Sequence, residues 1–283
     1  MSSLNSAEAS PSLNTMLEKA EERSRARTSA QIITLPLWPE PKRGTPNSFV
    51  RSALFAAIQG KDRRFMKDEV LASQRGIRVR FTGEQLNQED LSTFEALTHL
   101  SRQQPLGQVC EFTGYSLLRA LDMATGRAQY EQLRLTIQRL TACAVEIEHD
   151  GVVYAGPLVQ GSIRDERTGR WRVQLNRELV ALFGESRWTA IDWSERMQLR
   201  RKPLAQALHA YYSSHAQPFP VKIETLRQFG GSANRNVHSF RQHLVKALEE
   251  LTRIGFLQSF NVHDGMVMVT RSTDREQLPL PAR

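Results

Sequence analysis

Apolar positions in the last third of the chain follow a helical period and then an alternating one. Ile223 to Phe229 reads as a short helix and Gly230-Gly231-Ser232 as a turn. Asn234 to Ile254 is a long helix with Val237, Phe240, Leu244, Leu248 and Leu251 on its inner face. Phe256 to Val262 and Met266 to Arg271 then read as strands around the tight turn His263-Asp264-Gly265. The same outline occurs earlier. Tyr115 to Met123 predicts a short helix and Ala124-Thr125-Gly126-Arg127 a turn. Gln129 to Cys143 is a long helix with Tyr130, Leu133, Ile137, Leu140 and Ala144 facing a core. Val145 to His149 begins a strand. Val153 to Arg164 and Arg170 to Leu175 read as a hairpin joined by Asp165-Glu166-Arg167-Thr168-Gly169, whose Gly supplies positive φ. Short helix, turn, long helix and hairpin is the outline of a winged helix, a helix-turn-helix variant that places one helix in a DNA groove. The two copies share architecture and little residue identity.

The remaining pattern completes an α+β reading. Residues 1–44 carry no persistent apolar period and read as a disordered tail, interrupted by the apolar island Ile32-Ile33-Thr34-Leu35-Pro36-Leu37-Trp38. Thr45-Pro46 opens a helix to about Gly60 with Phe49, Leu54, Phe55 and Ile58 inward. Val70-Leu71 and Ile77 to Phe81 are strands. Asn87 caps a helix with Leu91, Phe94, Leu97 and Leu100 inward, and Val109 to Thr113 is a strand. Asn176 to Phe183 is a helix and Trp188 to Trp193 a strand. Ser194 caps a helix through Tyr212 that Pro203 kinks or divides. Two tandem winged-helix domains follow, at 45–185 and 186–272, with a loose C-terminal tail at 273–283. No βαβ series points to a parallel sheet.

Charge changes the picture from fold to partner. The chain has 38 Lys and Arg against 30 Asp and Glu, a net charge of +8 and a pI near 9.9. That balance is an electrostatic footprint of a polyanion partner, and the predominance of Arg suits bidentate phosphate and guanine contacts. The two cysteines, Cys110 and Cys143, sit in apolar stretches outside any ligand cluster, so no structural zinc is expected. No stretch has the length of a membrane span and the N-terminus has no signal-peptide core, so a cytoplasmic protein is expected.

A recognition helix places its N-terminal residues on base edges. On the second long helix these are Asn234, Arg235, Asn236, His238, Arg241 and Gln242; on the first, Arg127, Gln132, Arg134, Gln138 and Arg139. Arg164, Arg167, Arg170 and Arg172 decorate the first hairpin, positioned for phosphate or the minor groove. Arg200-Arg201-Lys202 is a compact basic run suited to backbone phosphates. Against each stands a plainer reading, a solvated polar face. Catalysis finds no motif: no phosphate loop, no GxGxxG after a strand, no HExxH. Neither cofactor nor metal is expected. Tyr211-Tyr212 beside His209 and His215 is the one candidate for a DNA-nicking site. Leu35, Leu37 and Trp38 suit either the pocket of a partner or a strap packed on the protein's own first domain.

Three segments carry a family resemblance: Leu35-Pro36-Leu37-Trp38-Pro39-Glu40, Asn47-Ser48-Phe49-Val50-Arg51-Ser52-Ala53-Leu54-Phe55, and Phe229-Gly230-Gly231-Ser232 with the helix after it. In order and spacing, from about Leu35 to Arg271, the chain resembles the TrfA family of replication initiators of broad-host-range plasmids. The resemblance implies two winged-helix domains binding direct-repeat iterons in double-stranded DNA at a plasmid origin. It also implies opening of an AT-rich region and contact with its single strand. Host partners would be the sliding clamp, the replicative helicase and the host initiator, with dimers that limit copy number. Clamp-binding peptides resemble Gln-Leu-x-Leu-Phe; here Thr34 replaces the Gln, while Leu35, Leu37 and the aromatic Trp38 match. The short tail resembles the shorter of the family's translation products, which weakens any helicase contact made by a longer N-terminus. The alternative function is a winged-helix transcriptional regulator on a palindromic operator, with two-fold symmetry.

Overall fold

The structure, a computed structural model, describes residues 33–58, 63–232 and 236–272. The compact unit begins at Thr34. The expectations for residues 1–32, for Asn234 and Arg235, and for the C-terminal tail lie outside the described residues.

The outline repeated in the sequence is a repeated topology. Helix α2 (Gln88–Ser101) leads to β6 (Val109–Thr113), α3 (Gly114–Ala120), α4 (Arg127–Ala142), β9 (Val159–Arg164) and β10 (Arg170–Leu175). These three strands form an antiparallel sheet in the order β6-β10-β9. Helix α6 (Pro203–Ser213) leads likewise to β12 (Val221–Lys222), α7 (Ile223–Phe229), α8 (Val237–Arg253), β13 (Leu257–His263) and β14 (Met266–Arg271), in the order β12-β14-β13. In both, the strand before the helix pair adds to the outer side of the hairpin that follows it. The first copy carries an insertion: β7 (Ala144–His149) and β8 (Val152–Gly156) leave after α4 and join β3 (Phe65–Leu71) and β4 (Ile77–Glu84) in a four-stranded antiparallel sheet, β3-β4-β7-β8. The chain is α+β.

Several elements differ from expectation. The continuous strand read over Val153 to Arg164 is two strands in different sheets. Gly156 has φ +155, Pro157 brings no N–H to a ladder, and the Tyr154 hydroxyl donates to the Pro157 carbonyl at 2.6 Å, turning the chain. The helix expected from Thr45 to Gly60 is one turn, α1 (Asn47–Val50). Thr45-Pro46 instead ends β1 (Lys42–Pro46), which pairs with β11 (Trp188–Asp192), and Phe55-Ala56 is a strand, β2, parallel to β5 (Leu86–Asn87). Phe49, Leu54 and Phe55 are buried, but on a chain that changes direction, because the Ser52 hydroxyl donates back to Ser48 O at 2.6 Å and the Ala53 N–H pairs with Ala72 O. The helix expected from Ser194 to Tyr212 is divided ahead of Pro203 into α5 (Trp193–Gln198) and α6, and its cap is Asp192, which accepts from the Glu195 N–H at 3.0 Å. Asn176 caps a 3-10 helix, Arg177–Phe183. Ala144 begins β7 facing solvent, Leu100 is exposed, and Val237 is 47% exposed rather than inward.

Residues 34–44, read as tail, belong to the fold. Leu35 and Trp38 are buried while Leu37 projects, 73% exposed. The Trp38 indole donates to His99 Nδ1 at 3.0 Å and stacks on Phe183. His99 Nε2 in turn faces Glu40, which also binds Arg102. Because an indole nitrogen only donates, His99 is neutral here with its proton on Nε2. The plainer reading of the apolar island, a strap packed on the protein's own body, is the one observed.

At the centre lies α2, capped by a reciprocal box between Asn87 and Asp90. Its apolar face was legible, but Asp90, Ser92, Glu95, Thr98 and His99 are buried too. Arg196 of α5 reaches Glu95 with Nε 2.7 Å from Oε2, both side chains fully buried. Burial pushes the Glu95 carboxyl up and the Arg196 guanidinium down from their ordinary values. Removing one partner, as in Glu95→Ala, should cost about 3–5 kcal/mol in urea denaturation. The double variant Glu95→Leu/Arg196→Met should recover most of that loss.

Four histidines, His99, His149, His209 and His215, are held below their ordinary value, in each case mainly by burial, His209 down to about 3. Such groups are protonated more readily in the unfolded chain. Their contribution is therefore complete above about pH 6.5 and is lost as pH falls towards 3. Thermal stability should fall between pH 7 and pH 5, with His209 contributing up to about 1.4 kcal/mol per pH unit. A His209→Gln protein should show a shallower slope.

Candidate nucleic-acid interface

Helix α4 starts without a side-chain cap, at Gly126, after a turn that Asp122 enters at φ +52. Leu133, Thr136, Ile137 and Leu140 bury one face. Arg127 stands exposed at the first turn. Gln132 donates to Glu89 Oε2 at 2.6 Å; Arg134 grips Glu131 at 2.6 and 2.9 Å and donates to Gln138 at 3.2 Å. These are surface contacts of small net value that a DNA edge can replace. Arg139 is different. Its guanidinium donates to the fully buried Asp90 at 2.8 and 3.1 Å and to the Thr136 hydroxyl, in a network with Arg63 and Glu84. The expectation that Arg139 reads DNA is therefore corrected: it is occupied in holding α4 on α2.

The first hairpin presents its arginines outward. Asp165 shapes the turn: its carboxylate accepts from the N–H groups of Arg167 and Thr168 at 2.8 and 3.1 Å, and it attracts the Arg170 charge. Hydrogen bonds from Thr168 and these N–H groups hold its pKa below the ordinary carboxylate range. Arg167 and Arg170 are exposed, and Arg170 lies within the field of Asp165. Arg164 pairs with Glu166 and lies over the Trp171 ring, and Arg172 pairs with Glu111 at 3.1 Å.

Helix α8 begins at the cap Asn236, whose Oδ1 accepts from the Ser239 N–H at 3.1 Å. That bond commits Asn236 to the helix start as well as to any reading role. His238 and Gln242 are exposed, whereas Arg241, also exposed, leans on the hairpin and donates to Val262 O at 3.3 Å. The turn before α8 needs its glycines. Gly231 has φ +58, and a Cβ there would lie 2.7 Å from Ala56 Cβ. The Ala57 N–H donates to Gly230 O at 2.7 Å, so this turn rests on the first half of the chain. Sequence reasoning passed over His243 and Lys246, exposed one turn along α8 beside a groove of about 780 Å³ floored by Leu204, Ala205, Phe240 and Ala247. Their signal was their spacing from His238 and Gln242.

Of the basic run, Arg200 binds Asp122 O and Lys202 pairs with Glu250 at 2.6 Å, both half-buried, and Arg201 is exposed. Tyr211, Tyr212, His209 and His215 are all buried in the core of the second half, and burial pushes the Tyr211 phenol up to about 12. The nicking candidate has no accessible nucleophile. Among the described residues no helix is long and apolar enough to cross a membrane.

This architecture is found in other solved structures. It matches the Pi initiator protein solved in complex with iteron DNA (TM-score 0.50, 13% identity, 66% of this chain and 94% of that one). It also matches domains 2 and 3 of RctB (TM-score 0.56, 12% identity, 80% and 98%). The chain belongs to the TrfA protein family, whose model matches residues 7–271. It is 28% identical over 251 residues to the plasmid replication initiator protein TrfA from Escherichia coli, covering 85% of this chain and 64% of that protein, somewhat less than two thirds of its length.

The contrast between Arg134 and Arg139 is measurable. Arg139→Ala should lower stability by about 3 kcal/mol, because it leaves the buried Asp90 with fewer partners. Arg134→Ala should change it by less than about 1 kcal/mol. Chemical denaturation of both variants checks this; equal small effects would return Arg139 to the interface.

Proposed function

We propose that this protein is a plasmid replication initiator that binds direct-repeat iterons through two winged-helix units, 45–185 and 186–272, without catalysis. The observation that carries this is the repeated topology. In each unit a short helix and turn present a long helix with polar residues outward, and the hairpin that follows stands beside it. Membership of the TrfA family supplies the biological setting.

In this reading α4 offers Arg127, Gln132, Arg134 and Gln138, and α8 with its cap offers Asn236, His238, Arg241 and Gln242; Asn234 and Arg235, which precede the cap in sequence, are proposed beside them. Arg pairs with guanine and Asn or Gln with adenine, each at about 1–3 kcal/mol of discrimination. Arg164, Arg167, Arg170 and Arg172 of the first hairpin take phosphate or the minor groove. Binding two grooves at once stores free energy as bending and unstacking, at a few kcal/mol per disrupted step, and so helps to open an AT-rich segment. The family setting extends the proposal to the exposed single strand, the host sliding clamp, replicative helicase and host initiator, a dimer that limits copy number, and a cytoplasmic location. Clamp contact through Leu35, Leu37 and Trp38 requires the strap to be released, since two of the three are buried.

Hydroxyl-radical footprinting on random-selected duplexes should protect direct repeats, each spanning two grooves. A palindrome bound by a two-fold dimer would replace this reading with a transcriptional regulator. Arg167→Ala and Arg170→Ala should each lower the slope of log K against log salt by about 0.9.

A further inference from the structure

We infer that the turn between α5 and α6 is a brace that sets the spacing of α4 and α8, and that this spacing selects how far apart the two contacted segments of a DNA target lie. The inference rests on the DNA-binding reading above and assigns Arg200 and Lys202 as positioning residues for specificity.

The turn is fastened on both sides. Towards the first unit, the Trp193 indole at the start of α5 donates to Ala120 O at 3.1 Å and the Arg200 guanidinium binds Asp122 O. Ala120 and Asp122 lie at the end of α3, in the turn that launches α4. Towards the second unit, Lys202 Nζ lies 2.6 Å from Glu250 near the end of α8, and Glu250 also holds Arg253 at 2.7 Å. Two residues separated by one position thus reach the turn that precedes one proposed reading helix and the C-terminal part of the other.

The connection itself has little freedom. Leu199 is fully buried in the core of the second unit, while Arg196, three residues earlier, is fully buried against α2 of the first. Arg201 takes φ +64, a conformation uncommon outside glycine, and Pro203 follows at the first position of α6. The Lys202 N–H donates to Leu199 O at 3.0 Å and closes the turn. A loose linker between two DNA-binding units lets each find its groove independently and tolerates changes of target spacing; this geometry does not. Because their charges meet protein partners, Arg200 and Lys202 act through the helices they hold.

The test starts from the duplex this protein selects from a random pool. Affinity is measured by anisotropy on that duplex and on versions with one base pair inserted or deleted between the two protected segments. The intact protein should prefer the native spacing. Each exposed pair is worth about 0.2–1 kcal/mol, so Arg200→Ala/Lys202→Ala should lower that preference by about fivefold. Lys202→Arg should retain it. A folded double variant that keeps the parent's spacing ratio, or a parent indifferent to spacing, overturns the brace while leaving DNA binding in place. A parent that selects no duplex sinks the DNA-binding reading itself. Should the double variant lose its near-ultraviolet circular dichroism, Glu250→Ala, which removes the acceptor for Lys202 together with the Arg253 pair within α8, gives the same comparison; an unchanged ratio there also overturns the brace.

Discussion

The contact between Arg196 and Glu95 gathers more of this structure than any apolar cluster does. A guanidinium and a carboxylate with no exposure lose most of their hydration, and their attraction offsets that loss only if the surrounding geometry is close to ideal. The surroundings supply part of it, leaving Arg196 Nη1 and Glu95 Oε2 without a hydrogen bond. The Thr45 hydroxyl donates to the other Glu95 oxygen at 2.7 Å, and Arg196 donates to Gln88 O at 3.0 Å and to the Ser92 hydroxyl at 3.1 Å. In one place the pair joins the strand after the strap, the central helix and the helix that opens the second half. Next to it, the neutral His209 donates to Glu195 at 2.7 Å and packs edge-on against Phe256. Misplacing any of these elements leaves a buried charge without its partner.

That constraint explains how two copies of one topology form a single body. Each copy has a core of its own, and the second runs from Leu199 through Leu251 to Val267. Beyond the buried pair, the halves meet through small, exacting contacts: β1 against β11, the Gly230-Gly231 turn against Ala56 and Ala57, and Arg51 against Ser214. The strap crosses the same region, closing with Trp38 over Phe183 and Trp188. Its two buried anchors belong to the fold before they belong to any partner.

The two units are unequal in chemistry. The first has an arginine-rich hairpin and a long helix whose polar face is partly tied up in surface pairs. The second has a hairpin tip of His263 and Asp264, 3.0 Å apart, and a helix on which His238, Arg241 and Gln242 are exposed. In the proposed reading, phosphate attraction is assigned to the first hairpin and base contacts to α8. In the basic turn between them Arg200 and Lys202 meet protein partners while Arg201 is exposed.

Periodicity alone located the short helix, the long helix and the last two strands of each half, and most of the inner faces of α4 and α8, Val237 and Ala144 excepted, because each reports a local choice of apolar face. Positive charge and the absence of catalytic motifs likewise pointed to a polyanion partner. What the sequence could not show was long-range. The order β6-β10-β9 depends on residues about sixty apart finding each other, and the break at Gly156-Pro157 sends one apparent strand to two sheets. Arg139 and Arg134 are equivalent in any one-dimensional pattern, yet only Arg139 faces Asp90. Arg200 and Lys202 read as phosphate ligands in the sequence, and only the fold shows Asp122 and Glu250 beside them. Trp38 reads as a partner's anchor until its indole is found on His99. Sequence determined which surfaces carry charge and which residues seek a core; the tertiary structure decided which charges are already paired, because an ion pair between distant segments leaves no local trace.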